Sequence, residues 1–205
     1  MPGPADLFRR IAADLVVLAD GPYPASVEAA IELLAQTFAS GNKVLLFGNG
    51  GSAADAQHVA AELVGRFATH RAPLAAIALG TNPALVTAWS NDTSYDDVFA
   101  REVEALGHPG DVAWGISTSG NSRNVVAGLE RARSGGLRTL GLTGKSGGAV
   151  GPLCDVLMAA PAAETARVQE IHVMTYHAIC ATLESNMTLR TPGAAASQAN
   201  YSSKS

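Results

Sequence analysis

The chain is poor in charge. Only 16% of its 205 residues are Asp, Glu, Lys or Arg, against about 25% in a typical soluble domain. Basic residues are the scarcer sign, 14 Lys and Arg against 18 Asp and Glu, for a net charge of -4. Without a basic face there is no electrostatic hold on nucleic acid or on an anionic membrane, so neither is expected as a partner. Cysteine is nearly absent. Cys154 and Cys180 exclude a disulfide scaffold and a Cys-based zinc site. Both lie in apolar runs and read as buried free thiols of a cytosolic protein. Long apolar runs are missing as well. No window approaches the ~20 residues of a membrane span, and acids at Asp6, Asp14 and Asp20 interrupt the segment where a signal peptide would be continuous.

What is present is a large apolar fraction, 47%, enough to offset chain entropy and to exclude disorder of the whole chain. The length fits one α/β domain with appendages, taken here as residues 1–190. Leu7, Ile11, Leu15 and Leu18 recur at helical spacing, as do Val27, Ile31, Leu34 and Phe38 after Ser26, a candidate N-cap. Short apolar runs at 43–48, 73–80, 111–117, 137–144 and 154–160 then read as buried strands. Between and after them the pattern predicts helices over about 52–67, 83–88, 95–106, 121–133 and 164–184. This alternation implies a parallel sheet with helices on both faces, whose ligands bind beyond the carboxyl ends of the strands. The stretch 191–205 is small, polar and aperiodic, and is expected to be a disordered tail.

Two of the loops at those strand ends stand out. GNGGSAAD (48–55) leads Asn49, Gly50, Gly51 and Ser52 straight into a helix. Glycines let the backbone approach a ligand, and a helix N-terminus offers unpaired N–H groups. The loop matches neither a P-loop nor GxGxxG, so it is an anion site of another kind or a tight turn. ISTSGNS (116–122) carries Ser117, Thr118, Ser119 and Ser122 at another predicted helix start. One hydroxyl suffices for a cap. Four suggest a phosphate site built from neutral donors and the helix dipole. TGKSGG (143–148) reads as a turn.

Chemistry-bearing side chains fall on two helices. His58 and Glu62 are four apart and share a face. They suit a divalent metal, an acid/base pair, or a solvated ion pair. The last helix carries Gln169, Glu170, His172 and His177. His172 and His177 point to nearly opposite faces, while Gln169 and His177 lie roughly 12 Å apart along the axis. Asn91-Asp92 suits sugar hydroxyls or a cap for the following helix.

Together GNGGSAADAQHVAAELVGRF, PLAAIAL, Asn91-Asp92, GISTSGNS (115–122), GLTGKSGG (141–148) and RVQEIH followed by His177 resemble the sugar isomerase (SIS) domain family, most closely its phosphoheptose isomerases, over residues 5–185. The resemblance implies a doubly wound five-stranded parallel sheet and a homotetramer with sites between subunits. It implies interconversion of sedoheptulose 7-phosphate and D-glycero-D-manno-heptose 7-phosphate through an enediol, the first step toward nucleotide-activated heptoses. It assigns one zinc per subunit to His58, Glu62, Gln169 and His177, and leaves His172 structural. Glu62 would be the base and His177 the acid. Substrate would meet Asn49, Gly50, Gly51, Ser52, Glu62, Asn91, Asp92, Ser117, Thr118, Ser119, Ser122 and Gln169.

Trp89, just before Asn91, is a departure that would change the accepted sugar length if it faced the pocket. Relatives act on octulose phosphates, so the ketose stays open between C7 and C8. Another relative associates with the replication initiator, but a binding protein has no chemical need to keep His58, Glu62, Gln169 and His177 together. A sugar-phosphate-sensing regulator would normally carry a DNA-binding domain, for which 205 residues leave no room.

Overall fold

The computed structural model describes residues 3–190. The expected tail at 191–205 lies outside the described residues. In chain order the elements are α1 (Pro4–Asp20), α2 (Tyr23–Ala39), β1 (Val44–Gly48), α3 (Gly51–Val64), β2 (Ala76–Ala78), α4 (Pro83–Asp92), α5 (Val98–Leu106), β3 (Val112–Ser117), α6 (Arg123–Ser134), β4 (Arg138–Gly144), β5 (Val156–Ala160) and α7 (Thr165–Arg190). The five strands pair in parallel in the order β2-β1-β3-β4-β5. The fold is the α/β doubly wound sheet that the alternating pattern predicts.

Strand alternation divides the core in two. Val44 and Leu46 of β1 and Val112, Trp114 and Ile116 of β3 face one cluster, which holds Leu34 of α2, Val59 and Leu63 of α3 and Ile179 of α7. Leu45, Phe47 and Ala113 face the other, which holds Phe99 and Val103 of α5 and Val125 and Leu129 of α6. All residues of β1 and β3 are buried, which explains why both read as unbroken apolar runs rather than as alternating ones.

Three local expectations are corrected. Ser26 is not an N-cap. The helix begins at Tyr23 with Pro24 in its first turn, where a missing N–H costs nothing, and the Ser26 hydroxyl donates to the Tyr23 carbonyl at 2.7 Å. The short helix after β2 does not stop at residue 88 but runs on to Asp92, so Asn91 and Asp92 form its last turn. Cys180 is buried, but Cys154 is only partly so. Trp89 packs against the second apolar cluster, with the Arg101 guanidinium 4.8 Å over its ring.

Strand order reverses between β1 and β3, since β1 leads outward to β2 while β3 leads the other way to β4. The crevice above such a switch point is where doubly wound sheets bind ligands. The two loops that flank it are GNGGS and STSGNS.

Candidate functional site

The loop after β1 is fixed by side-chain amides. Asn49 Nδ2 donates to Asn124 Oδ1, and Asn124 Nδ2 donates back to Asn49 Oδ1, each at 2.8 Å. Asn124 lies in the first turn of α6 and is 2% exposed, so this pair ties the two loops of the switch point together. The Tyr95 hydroxyl also donates to Asn49 Oδ1, at 2.8 Å. Buried polar pairs of this kind hold geometry because breaking one leaves an unsatisfied group. The sequence alone singles out neither Asn124 nor Tyr95. Asn124 follows the Ser-rich motif by two residues, whereas nothing local marks Tyr95.

In the loop after β3, Ser117 Oγ lies 3.1 Å from Ser122 Oγ and 3.5 Å from Ser119 Oγ. Ser122 occupies the N-cap position of α6, yet its side chain makes no capping hydrogen bond. The hydroxyls therefore gather at the helix start instead of closing it. Ser119 Oγ accepts from the Asn121 N–H at 3.1 Å. Thr118 is half-buried beside them. Gly120 has φ +67°, and a Cβ there would sit 2.2 Å from the Gly147 carbonyl oxygen. The turn 143–148 thus packs directly behind the Ser loop. Val150 N–H donates to the Gly120 carbonyl at 2.9 Å, Ala149 N–H to Asn121 Oδ1 at 3.0 Å, and Gly144 N–H to the Thr118 carbonyl at 3.0 Å.

The facing surfaces of α3 and α7 bring the imidazoles and Glu62 together. His58 Nε2 is 3.2 Å from Glu62 Oε1, with side chains 44% and 21% exposed. The His177 ring lies edge-on to His58 at 5.1 Å and to Tyr176 at 4.9 Å. The Tyr176 hydroxyl is 3.1 Å from His58 Nδ1 and donates to Asp55 Oδ1 at 3.3 Å. Burial raises the Asp55 pKa, against the lowering effects of the Tyr176 hydrogen bond and His58. Burial also raises that of Tyr176, as do the Asp55 and Glu62 charges.

Gln169 is elsewhere on α7. Its amide nitrogen packs against Gly51, where a Cβ would come within 2.3 Å of it. The structure therefore groups His58, Glu62 and His177, and sets Gln169 beside the Gly loop with Ser52, which is buried. Asn91 and Asp92 are exposed, and Asn91 Nδ2 donates to Asp92 Oδ1 at 2.9 Å. Asp92 does not cap the next helix. Ser94 caps only the short 3-10 turn Tyr95–Asp97 that leads into α5, accepting from the Asp96 N–H at 3.0 Å, and α5 itself begins at Val98 with no side-chain cap. His172 is wholly buried, with Nε2 3.1 Å from the Thr143 carbonyl oxygen, and burial brings its pKa down to about 4. It is neutral, it donates to β4, and it takes no part in this cluster.

The donor types on this face, imidazole nitrogens and a carboxylate, are those zinc takes. His58 and Glu62 already stand as two adjacent ligands would. Among the described residues, however, no group of three or more His, Cys, Asp and Glu side chains is gathered to hold a metal ion. His177 would have to turn toward the pair, and Gln169 would have to leave its seat against Gly51, seven residues before His58 on α3.

A further assembly secures the end of α3. Glu184 of α7 accepts from Phe67 N–H and Ala68 N–H at 2.9 Å, from Thr69 Oγ1 at 2.8 Å and from Thr69 N–H. It also pairs with Arg71 Nε at 3.3 Å. Arg71 in turn donates to the Glu62 carbonyl at 2.7 Å and the Leu63 carbonyl at 2.8 Å, capping the helix that carries Glu62. Burial alone would raise the Glu184 pKa, but the converging Thr69 and Phe67 N–H groups hold it down at about 2.

The arrangement offers an anion seat of neutral donors at the switch point and a carboxylate–imidazole set suited to proton transfer. Residues 23–144 match the SIS domain family. The phosphoheptose isomerase of Crocosphaera subtropica is 53% identical over 165 residues, which cover 80% of this chain and 84% of that protein. The solved phosphoheptose isomerase of Neisseria gonorrhoeae superposes with TM-score 0.82 at 40% identity, covering 88% of this chain and 96% of that one. That of Francisella tularensis gives TM-score 0.84 at 32% identity over the same shares. The chain belongs to the SIS domain family and, within it, to the phosphoheptose isomerases.

Proposed function

We propose that the protein interconverts sedoheptulose 7-phosphate and D-glycero-D-manno-heptose 7-phosphate through an enediol, as the first step toward nucleotide-activated heptoses. The observation that carries this is the Glu62–His58–His177 set in a chain 53% identical to a phosphoheptose isomerase. Ser117, Thr118, Ser119 and Ser122 with the α6 N-terminus take the phosphate and fix the reacting end by orientation. Asn49, Gly50, Gly51, Ser52, Asn91, Asp92 and Gln169 take the sugar hydroxyls. Glu62 removes the proton from the carbon beside the carbonyl and returns it to the neighbouring carbon. His177 gives a proton to the carbonyl oxygen and receives one from the adjacent hydroxyl.

The reading includes one zinc ion per subunit, held by His58, Glu62, Gln169 and His177. When bound, it supplies Lewis-acid polarisation of the carbonyl and hydroxyl oxygens. Because Glu62 cannot bind a cation tightly and take a proton at the same instant, its contact with such an ion would be weak or substrate-dependent.

The reading also includes a homotetramer with sites between subunits. Glu62 lies eleven residues beyond Gly51, about 16 Å down the α3 axis from the phosphate loops at 1.5 Å per residue. One sugar phosphate does not bridge that length within one chain, whereas a neighbouring subunit's Glu62 can be brought to the loop. Helix α1 supports the same view. It has no buried residue and exposes Phe8, Val16 and Val17 at 67%, 62% and 73%, a patch that self-association would cover. A cytoplasmic site of action fits the two unpaired thiols. Among the described residues, no helix is long and apolar enough to cross a membrane.

The test is an assay of the zinc-supplemented protein on C6, C7 and C8 ketose phosphates. Conversion of the C7 ketose to an aldoheptose phosphate is expected. Conversion of the C8 ketose alone would move the substrate and keep the chemistry, and inertness toward all three would refute the reading.

A further inference from the structure

Asp55 and Tyr176 belong to none of the roles assigned so far, yet Tyr176 touches His58 at Nδ1, the ring nitrogen away from Glu62, and Asp55 stands behind Tyr176. Tyr176 is 1% exposed. Its single hydroxyl proton has two acceptors within reach, Asp55 Oδ1 at 3.3 Å and His58 Nδ1 at 3.1 Å. It can serve only one of them. Asp55 Oδ2 is buried without a hydrogen-bond partner, so Oδ1 is the oxygen through which the carboxylate is satisfied. Giving the phenol proton to His58 would leave two acceptors facing each other at Asp55, in the buried half of the chain of contacts. Giving it to Asp55 leaves the phenol oxygen as an acceptor, which His58 satisfies if its proton is on Nδ1. The cost of an unmatched pair then falls at His58 Nε2 and Glu62 Oε1. There the imidazole is 44% exposed, and water or a cation can step in. Unsatisfied polar contacts cost most where solvent cannot reach them, so the buried end decides.

We propose that Asp55 and Tyr176 are positioning residues that hold His58 in the tautomer with its proton on Nδ1, so that the Nε2 lone pair is presented beside the Glu62 carboxylate. The chain runs His58 Nδ1–H to Tyr176 Oη and Tyr176 O–H to Asp55 Oδ1. Two acceptor atoms then stand 3.2 Å apart at the open end, an arrangement that a divalent cation completes. Outer hydrogen bonds commonly set which nitrogen of a ligating histidine is available. Here a phenol is interposed between imidazole and carboxylate. This inference rests on the proposed reading of His58 as a zinc ligand, but its first measurement does not depend on that reading.

The experiment is nitrogen-15 NMR of the histidine side chains in the metal-free full chain at pH 9, where ordinary imidazoles are neutral. Zinc titration of the same proteins against a chelating dye follows. In the native protein His58 is expected to carry its proton on Nδ1. Asp55→Asn keeps the shape but offers an N–H to the phenol oxygen. This turns the Tyr176 proton onto Nδ1 and moves the imidazole proton to Nε2. Tyr176→Phe removes the acceptor and releases the same preference. Both variants are expected to bind zinc ~10- to 100-fold more weakly, with Asp55→Glu restoring part of the loss. Retention of the native circular dichroism melt separates this from misfolding. A native His58 protonated on Nε2, Nδ1 protonation retained in both variants, or zinc affinity unchanged in both would overturn the proposal. A native protein that shows the Nδ1 tautomer but binds no zinc would refute the metal reading alone and leave the tautomer assignment standing.

Discussion

Replacing Glu184 by Gln removes a carboxylate that holds segment 67–69 and Arg71 against α7. In the native protein this group is 3% exposed, and its pKa stands at about 2 rather than the ordinary 4.5. That difference corresponds to about 3 kcal/mol of folding stability at ~1.4 kcal/mol per pH unit. The folded pKa is depressed, so the contribution is complete above the unfolded value of 4.5 and is lost as pH falls from there toward 2. Gln keeps the shape and one acceptor, but turns an N–H₂ toward donors and leaves the Arg71 guanidinium without its counter-charge. A buried pair broken on one side costs roughly 3–5 kcal/mol, in agreement with the linkage figure. Urea unfolding at fixed protein concentration is the assay. At pH 7 Glu184→Gln is expected to be about 3 kcal/mol less stable than the native protein, with the gap closing between pH 4.5 and 2. Arg71 caps α3 at Glu62, so turnover should fall as well. A gap under about 0.5 kcal/mol at pH 7, within the range of an ordinary surface change, would refute the reasoning, as would a gap constant down to pH 2.

Two glycines give sharper tests of the loops. Gly120→Ala places a β-carbon in the left-handed region and into the Gly147 carbonyl. It is expected to cost more than about 2 kcal/mol in thermal or urea unfolding and to raise KM through the displaced Ser loop. Gly51→Ala meets only the flexible end of Gln169. Stability should therefore change by less than about 1 kcal/mol, while kcat falls because Gln169 is pushed from the loop.

The strands were legible because β1 and β3 are buried on both faces and so appear as unbroken apolar runs closed by glycine or serine. The two loops at the switch point were legible because their pattern is local, with four hydroxyls and several glycines in two short stretches. Helix limits were less so. Ser26 looked like a cap, but Pro24 starts the helix earlier. Residues 89–92 contain no breaker, so α4 runs on to Asp92. The supporting residues were out of reach for a different reason. Asn124 meets Asn49 across 75 residues, Tyr176 meets Asp55 across 121, and Glu184 meets Thr69 across 115. Those contacts exist only because α3, α6 and α7 are packed around one sheet, and no local pattern encodes them. Gln169 is an intermediate case: its residue type stands out in the sequence, but its seat against Gly51 follows from how α7 lies along α3.

The most direct test of the account is turnover of sedoheptulose 7-phosphate by the Glu62→Gln protein beside the native one, with zinc present in both. Glu62→Gln keeps the side-chain shape but cannot take a proton from carbon. The account predicts an aldoheptose phosphate from the native protein and a loss of ~10²- to 10⁴-fold in kcat for the variant, the usual worth of a positioned base. Native-like turnover by Glu62→Gln would contradict it.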